Sequence, residues 1–270
     1  MTEQGFPVEQ IDTSRPHPAR MYDYYLGGRD NYEVDRRAAE EVIRMVPEAL
    51  VSAQANRAFL HRAVRHVVGK GVRQIIDIGT GIPTSPNTHE VAREVAADVR
   101  VAYVDNDPIV ATHAGAKLIN QGGASFVLGD IREPEAILRH PRIQGLIDFT
   151  EPVALLLVAV MHFITDEEDP AGIVATLSEA LPKGSYLVLT HGTADFHGEI
   201  GEDEDAREVY KNATAHLTVR PYDEVRPLFK GYELLEPGLV QASRWRPDDA
   251  VRESEEHRKV SFYGGVGRKV

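Results

Sequence analysis

Eight residues, Gln74-Ile75-Ile76-Asp77-Ile78-Gly79-Thr80-Gly81, constrain this chain more than any other stretch. An apolar run of strand length ends in two glycines set one residue apart. A strand that reads as an unbroken apolar run is buried on both faces, the habit of a parallel sheet. From Val72 such runs alternate with helical periodicity, which marks a parallel sheet with helical crossovers. Strands are predicted at Gln74–Ile78, Val99–Val104, Ser125–Leu128, Val153–Val160 and Ser185–Thr190. Between them, Asp107 reads as an N-cap with Pro108 at the first helical position of a helix reaching about Gln121. A second helix is expected over Ala171–Leu181. Tyr232–Leu235 and Val260–Gly264 have no helix between them and should pair antiparallel. The fold expected is α/β, a seven-stranded, mostly parallel sheet with an antiparallel last strand and helices on both faces.

The N-terminal part is different. From its prolines and polar residues, Met1 to Pro18 is expected to be loose, at least to Ile11. Helical periodicity follows in Arg36–Leu50 and Asn56–Val68. Residues 1–70 are therefore expected as a helical cap or lid on a core spanning 71–270. The acidic stretch Glu199–Glu208 opens another helix, where carboxylates complement the helix dipole and need no metal.

The glycine turn and the acids that follow point to a nucleoside ligand. Glycines let the backbone turn tightly and approach a ligand. Asp105 ends the second strand, where a carboxylate accepts from ribose hydroxyls. Asp130 ends the third, placed to accept from an adenine amino group while Ile131 packs on the ring. On its own, Asp130 reads better as the cap of a helix beginning near Pro134, and only three such marks on successive strand ends favour the cofactor. A dinucleotide site needs Gly-x-Gly-x-x-Gly opening into a helix, so that N–H groups cradle the pyrophosphate. Here the third glycine position is Thr84, and Pro83 and Pro86 bring no N–H to the turn. The acid spacing does not discriminate, since Asp105 lies 21 residues past Thr84, as a dinucleotide site would also require. A ribose-bearing cofactor without phosphate fits better, and S-adenosylmethionine is the commonest.

Composition narrows the rest. Lys+Arg 30 against Asp+Glu 42 leaves a net charge of −12, with no basic stripe for nucleic acid. The chain has no cysteine, which removes disulfides, thiolate metal sites and a cysteine nucleophile. The longest apolar run, Val153–Met161, is far short of the roughly 20 residues of a membrane span. No signal-peptide core opens the chain, so a cytoplasmic location is expected, with no membrane partner. The expected partner is a small-molecule substrate, with a homodimer left open as the assembly state.

Several strings carry a family resemblance. They are Ala19-Arg20-Met21-Tyr22-Asp23-Tyr24-Tyr25-Leu26-Gly27-Gly28-Arg29-Asp30-Asn31-Tyr32, Asn56-Arg57-Ala58-Phe59-Leu60, Asp77 to Thr84, Asn87-Thr88-His89-Glu90, Trp245-Arg246-Pro247 and Gly265-Val266-Gly267-Arg268-Lys269. In these the chain resembles an S-adenosyl methyltransferase family of actinomycetes, formerly a domain of unknown function, within the class I methyltransferase superfamily. The resemblance implies a class I, Rossmann-like fold and the cofactor S-adenosylmethionine, and no particular acceptor. The turn departs from the three-glycine loop usual in class I enzymes.

Methyl transfer asks the protein mainly for alignment. The expected cofactor-binding set is Asp77, Gly79, Thr80, Gly81, Asp105, Asn106, Asp130 and Ile131, joined by Arg20 and Tyr22 from the N-terminal segment. Arg20 suits a carboxylate, either the cofactor's or an acidic substrate's. The tyrosines and paired glycines around it read equally as a lid or as core aromatics with a helix C-cap. His162 and His191 follow the fourth and fifth strands and are candidate general bases, with wall histidines as the alternative. His89-Glu90 lacks the second histidine of a zinc helix, since position 93 is Arg93, so no metal is expected. Met161-His162-Phe163-Ile164 stands where amide- and base-methylating enzymes carry Asn or Asp with Pro-Pro and an aromatic. The reading is a methyltransferase acting on a small molecule, with specialised metabolites as one class. Alternatives are a non-catalytic cofactor-binding regulator and, less favoured, a nicotinamide-dependent oxidoreductase.

Overall fold

A computed structural model describes residues 12–118, 122–196, 206–247 and 259–270. The segment Met1 to Ile11, the end of the helix near Gln121 and the acidic run from Glu199 to residue 205 lie outside the described residues. Eight strands among the described residues form one sheet: β1 (Gln74–Ile78), β2 (Arg100–Asp105), β3 (Ala124–Leu128), β4 (Ala154–Leu157), β5 (Tyr186–Gly192), β6 (Tyr232–Leu234), β7 (Val240–Gln241) and β8 (Phe262–Lys269). The order is β3-β2-β1-β4-β5-β8-β6, with β7 also on β8. The first five strands run parallel. Strand β8 runs antiparallel to both β5 and β6, and pairs Tyr186 with Arg268 and Tyr232 with Lys269.

Alternation along each strand divides the core in two. Ile75, Val101, Tyr103, Leu156 and Val188 face a layer made by α3 (Ala49–Gly69), α4 (Thr88–Val95) and α5 (Pro108–Leu118). Ile76, Ala102, Val104, Leu155 and Leu187 face α6 (Pro134–Arg139), α7 (Pro141–Leu146) and α8 (Pro170–Glu179). A period of two on strands buried from both sides requires exactly this pair of apolar layers. A third cluster joins α1 (Pro18–Tyr25), α2 (Glu33–Met45) and α9 (Ala206–Lys211) through Met21, Tyr25, Ala39, Val42, Val209 and Tyr210. The short α10 (Tyr222–Val225) precedes β6.

Four expectations need correction. The helix expected over Arg36–Leu50 is two helices, because Val46 precedes Pro47 and takes an extended backbone at φ −130°. Helix α3 then buries Phe59, Leu60, Ala63, Val64 and Val67 against the sheet, so a unit boundary at residue 70 would separate a core layer from its sheet. The fourth strand stops at Leu157 instead of Val160. The last strand runs to Lys269 and a further short strand, β7, joins it, which raises the count from seven to eight. Its glycines admit packed rings: a Cβ on Gly265 or Gly267 would lie 2.9 Å from Phe229 and 2.7 Å from Tyr232.

Candidate functional site

A cavity of about 1110 Å³ opens over the C-terminal tips of β1, β2, β4 and β5, roofed by α1, α2 and the segment after α9. Asp77, Gly79, Thr80, Gly81, Asp105, Asn106, Ile131, Arg20, Tyr22 and His162 line it; Asp130 and His191 do not.

The turn after β1 is braced from β2. Gly79 and Thr80 donate their N–H groups to the Val104 carbonyl at 2.8 and 3.2 Å. Gly81 N–H donates to Asp105 Oδ2 at 2.8 Å, and Asp107 N–H donates to Asp105 Oδ1 at 3.0 Å. Each carboxylate oxygen keeps a second lone pair for a ligand. Gly79 and Gly81 both sit at positive φ, 73° and 67°. A Cβ on Gly79 would strike Val160 Cγ2 at 2.6 Å, whereas at Gly81 it would meet open space. Burial pushes the Asp105 carboxyl up to about 6, against the pull of the Asp107 and Gly81 N–H groups. Burial likewise pushes Asp77 up to about 6, opposed by the Thr88 hydroxyl, which donates to Asp77 Oδ2 at 2.7 Å.

The third strand tip is arranged otherwise. Asp130 is half-buried and ion-paired to Arg132 at 3.1 Å, and it accepts from Asn106 Nδ2 at 3.2 Å. Its neighbours Gly129, Ile131 and Arg132 reach the cavity instead.

The N-terminal segment is both wall and core. Leu26 caps α1 and Gly27 follows at φ 78°, while Tyr25 packs with α2 and α9. Asp23 accepts from Asn31 Nδ2 at 2.7 Å and from Asp30 N–H at 3.0 Å, closing the turn over Gly28. Arg20 and Tyr22 face the other way, toward the cavity. Tyr22 donates to the Ala53 carbonyl at 3.0 Å and accepts from Asn56 Nδ2 at 2.9 Å. That orientation leaves Asn56 Oδ1 buried without a partner. Arg20 donates from Nη2 to the Asp12 carbonyl at 3.0 Å. Its Nε lies 3.4 Å from Asp107 Oδ2 and its Nη1 3.5 Å from Asp35, and Nε, Nη1 and Asp107 Oδ2 make no hydrogen bond.

Comparison with known proteins agrees with this geometry. The model of a family described as S-adenosyl methyltransferase matches residues 4–270. The chain belongs to that S-adenosyl methyltransferase family. A DUF574 family protein from Streptomyces avermitilis is 42% identical with a TM-score of 0.91, over 97% of this chain and 100% of that one. A candidate methyltransferase from Thermobifida fusca is 36% identical with a TM-score of 0.88, over 98% of each chain. An O-methyltransferase family protein from Burkholderia thailandensis shares the fold alone, at 11% identity and a TM-score of 0.50, over 92% of this chain and 63% of that one. A search of curated proteins finds no match. The architecture is the class I methyltransferase fold.

In this member of the S-adenosyl methyltransferase family, the two histidines part company. His191 is fully buried behind the cavity wall. Its Nδ1 donates to the Gly192 carbonyl at 2.8 Å and its Nε2 accepts from Arg220 Nη1 at 3.0 Å. Both nitrogens are spent, and burial lowers its pKa to about 4. His191 thus lies outside the cavity lining as a buried wall residue, which supports the wall reading weighed for it over the base. His162 does line the cavity. Burial pushes its pKa well down, with His191 and Arg220 adding to the effect. Its Nδ1 accepts a long bond, 3.4 Å, from Gly192 N–H, which puts the proton of the neutral ring on Nε2.

Sequence reasoning passed over three parts of the wall. Arg57 on α3 donates to the Thr84 and Pro86 carbonyls and so pins the turn after β1. Asp107 caps α5 through Oδ1, accepting from Ile109 N–H at 2.9 Å, and turns Oδ2 toward Arg20. Residues Val158 to Val160 leave the sheet to line the cavity. There Ala159 sits at φ 56°, and its N–H donates to Thr190 Oγ1 at 2.8 Å. Such a backbone costs on the order of 1–3 kcal/mol and gathers at functional sites. Among the described residues no helix is long and apolar enough to cross a membrane, and no three metal-capable side chains cluster.

Proposed function

We propose that the protein binds S-adenosylmethionine across the tips of β1, β2 and β3 and transfers its methyl group to a small molecule. The observation that carries the reading is a set of buried polar atoms beside the glycine turn that make no hydrogen bond. Arg20 offers Nε and Nη1, Asn56 offers an acceptor, and open space lies over Gly81. Leaving such groups unmet costs about 1–3 kcal/mol each, so the wall suits a ligand with matching chemistry. An amino-acid moiety matches it: a carboxylate for Arg20 and an ammonium for Asn56 Oδ1. Asp105 accepts from ribose hydroxyls through its free lone pairs, and Ile131 and Asn106 border the purine. Asp77 acts behind the turn, through Thr88. With Asp130 tied to Arg132, its bond to a purine amino group is the weakest assignment.

When bound, the cofactor would supply an electrophilic methyl group on a sulfonium that leaves as a neutral thioether. The chain's own part is alignment and exclusion of water. His162 with its proton on Nε2 has no free lone pair to take a proton, so the acceptor atom would react through its own lone pair and any O–H or N–H proton it carries would pass to solvent. That feature also favours a second reading, a binding protein without turnover. Specialised metabolites are the first acceptors to screen with a radiolabelled methyl donor; transfer to any one of them ends the second reading.

Calorimetric titration with S-adenosylmethionine, its demethylated product S-adenosylhomocysteine and NAD tests the main proposal. Both adenosyl compounds should bind and NAD should not. Binding of NAD alone would overturn it in favour of an oxidoreductase.

A further inference from the structure

The cavity is larger than one ligand needs. Its volume of about 1110 Å³ exceeds the roughly 300–1,000 Å³ of most small-ligand pockets. Past the polar end already described it continues over β4 and β5, where the walls change in kind. Tyr25, Met45, His162, Phe163, Tyr210 and Leu217 line that end. The rings pack on one another: Phe163 lies 4.3 Å from His162 edge-on and 5.6 Å from Tyr210, centroid to centroid. Aromatic walls of this sort favour an aromatic occupant, through offset and edge-to-face contacts.

Charge limits the occupant further. No guanidinium among the described lining residues is left for this end: Arg20 faces Asp107 and Asp35 and is assigned to the cofactor's carboxylate, Arg57 holds the Thr84 and Pro86 carbonyls, and Arg132 pairs with Asp130 and Glu168. An anionic acceptor would enter this end without a counter-charge. A cationic one would find Glu48 paired to Lys259 at 3.7 Å. Burying an unpaired charge is far costlier than burying a neutral ring. The polar anchor present is a pair of phenols, Tyr25 and Tyr210, with oxygens 3.5 Å apart. Burial raises both pKa values, Tyr25 strongly, so both stay protonated. At most one of their two hydrogens is spent between them, which leaves a donor for a neutral oxygen or nitrogen on a ligand.

We propose that the methyl acceptor is an uncharged aromatic molecule bearing a hydrogen-bonding oxygen or nitrogen, a proposal that rests on the methyl-transfer reading above. Three compounds on one carbon skeleton test it: 4-phenylphenol, biphenyl-4-carboxylate and 4-(aminomethyl)biphenyl. Each is titrated calorimetrically at neutral pH into the full chain saturated with S-adenosylhomocysteine, whose own binding is measured first. The expected result is that 4-phenylphenol binds at least tenfold tighter than either charged analogue. Leu217 is half-buried on the wall of this end, and Leu217→Arg should turn the preference toward the carboxylate with S-adenosylhomocysteine affinity unchanged. Equal or tighter binding of a charged analogue to the wild-type chain, or binding of none of the three, overturns the acceptor class. Failure of S-adenosylhomocysteine to bind overturns the methyl-transfer reading instead, so the two failures are told apart.

Discussion

Over the tips of β1 and β2, two buried carboxylates, Asp77 and Asp105, are pushed up to about 6; over β4 and β5, two buried imidazoles, His162 and His191, are pushed down. One cause, burial, drives both toward the neutral form. What differs is the company each group keeps. At the first end, N–H and O–H donors hold the carboxylates, and orphaned polar atoms wait beside them, so a polar ligand completes the site. At the second end, the imidazoles spend their lone pairs on the protein's own backbone and on Arg220, and apolar rings cover what remains. The contrast teaches that one rim divides into a polar end with unmet hydrogen-bonding groups and an apolar end walled by rings.

The largest expected effect is on the fold. Gly79→Ala places a Cβ 2.6 Å from Val160 Cγ2 at a backbone φ of 73°. The strain of the left-handed region and the overpacking together should cost about 2–4 kcal/mol, read by chemical denaturation. Gly81→Ala has a similar φ but open space before it. It should cost only about 1–2 kcal/mol while weakening S-adenosylmethionine binding. Equal stability losses at the two glycines would break the distinction between a packed and an open side of the turn.

Next comes Asp105→Ala, expected to weaken S-adenosylmethionine at least tenfold, for a charge-assisted bond worth about 1.5–3 kcal/mol. Unchanged affinity in calorimetry would place the ribose elsewhere. The pH dependence sharpens the same point. The ionised carboxylate accepts on both oxygens and more strongly than the acid, so affinity should hold above pH 6 and weaken below it, by at most about tenfold per unit. The unliganded fold should behave in the opposite sense. A folded-state pKa raised from 3.8 to about 6 means the native protein binds more protons between those values. Stability therefore rises as pH falls through that window, before other groups intervene. Thermal melts with and without ligand would separate the two trends. Least affected should be turnover in His191→Gln, whose loss is one of stability, about 1–3 kcal/mol, because Arg220 loses a buried partner. A change in the pH–rate profile of that variant would restore His191 as a catalytic candidate.

The polar end was the more legible from sequence. Strand β1, its glycines and the acid ending β2 are local signals, and the chain order of parallel strands places their tips on one rim. Much of the rest depends on contacts between distant residues. Val158-Ala159-Val160 has the composition of a strand, and only the Thr190 hydroxyl and the packing of Val160 on Gly79 show that it leaves the sheet. Asp107 announces itself as a cap through Asp-Pro, but its second oxygen faces Arg20 on a distant helix. The break after Met45 is different, since Pro47 signals it locally. His191 looked like His162 in sequence, each following a strand. Arg220, far along the chain, makes one of them wall.

A crystal structure of the chain with S-adenosylhomocysteine bears most directly on the polar end. The expected result puts ribose hydroxyls on Asp105 and the amino-acid carboxylate on Arg20, with the space over β4 and β5 left for an acceptor. A ligand lying over β4 and β5 with Asp105 untouched would contradict it.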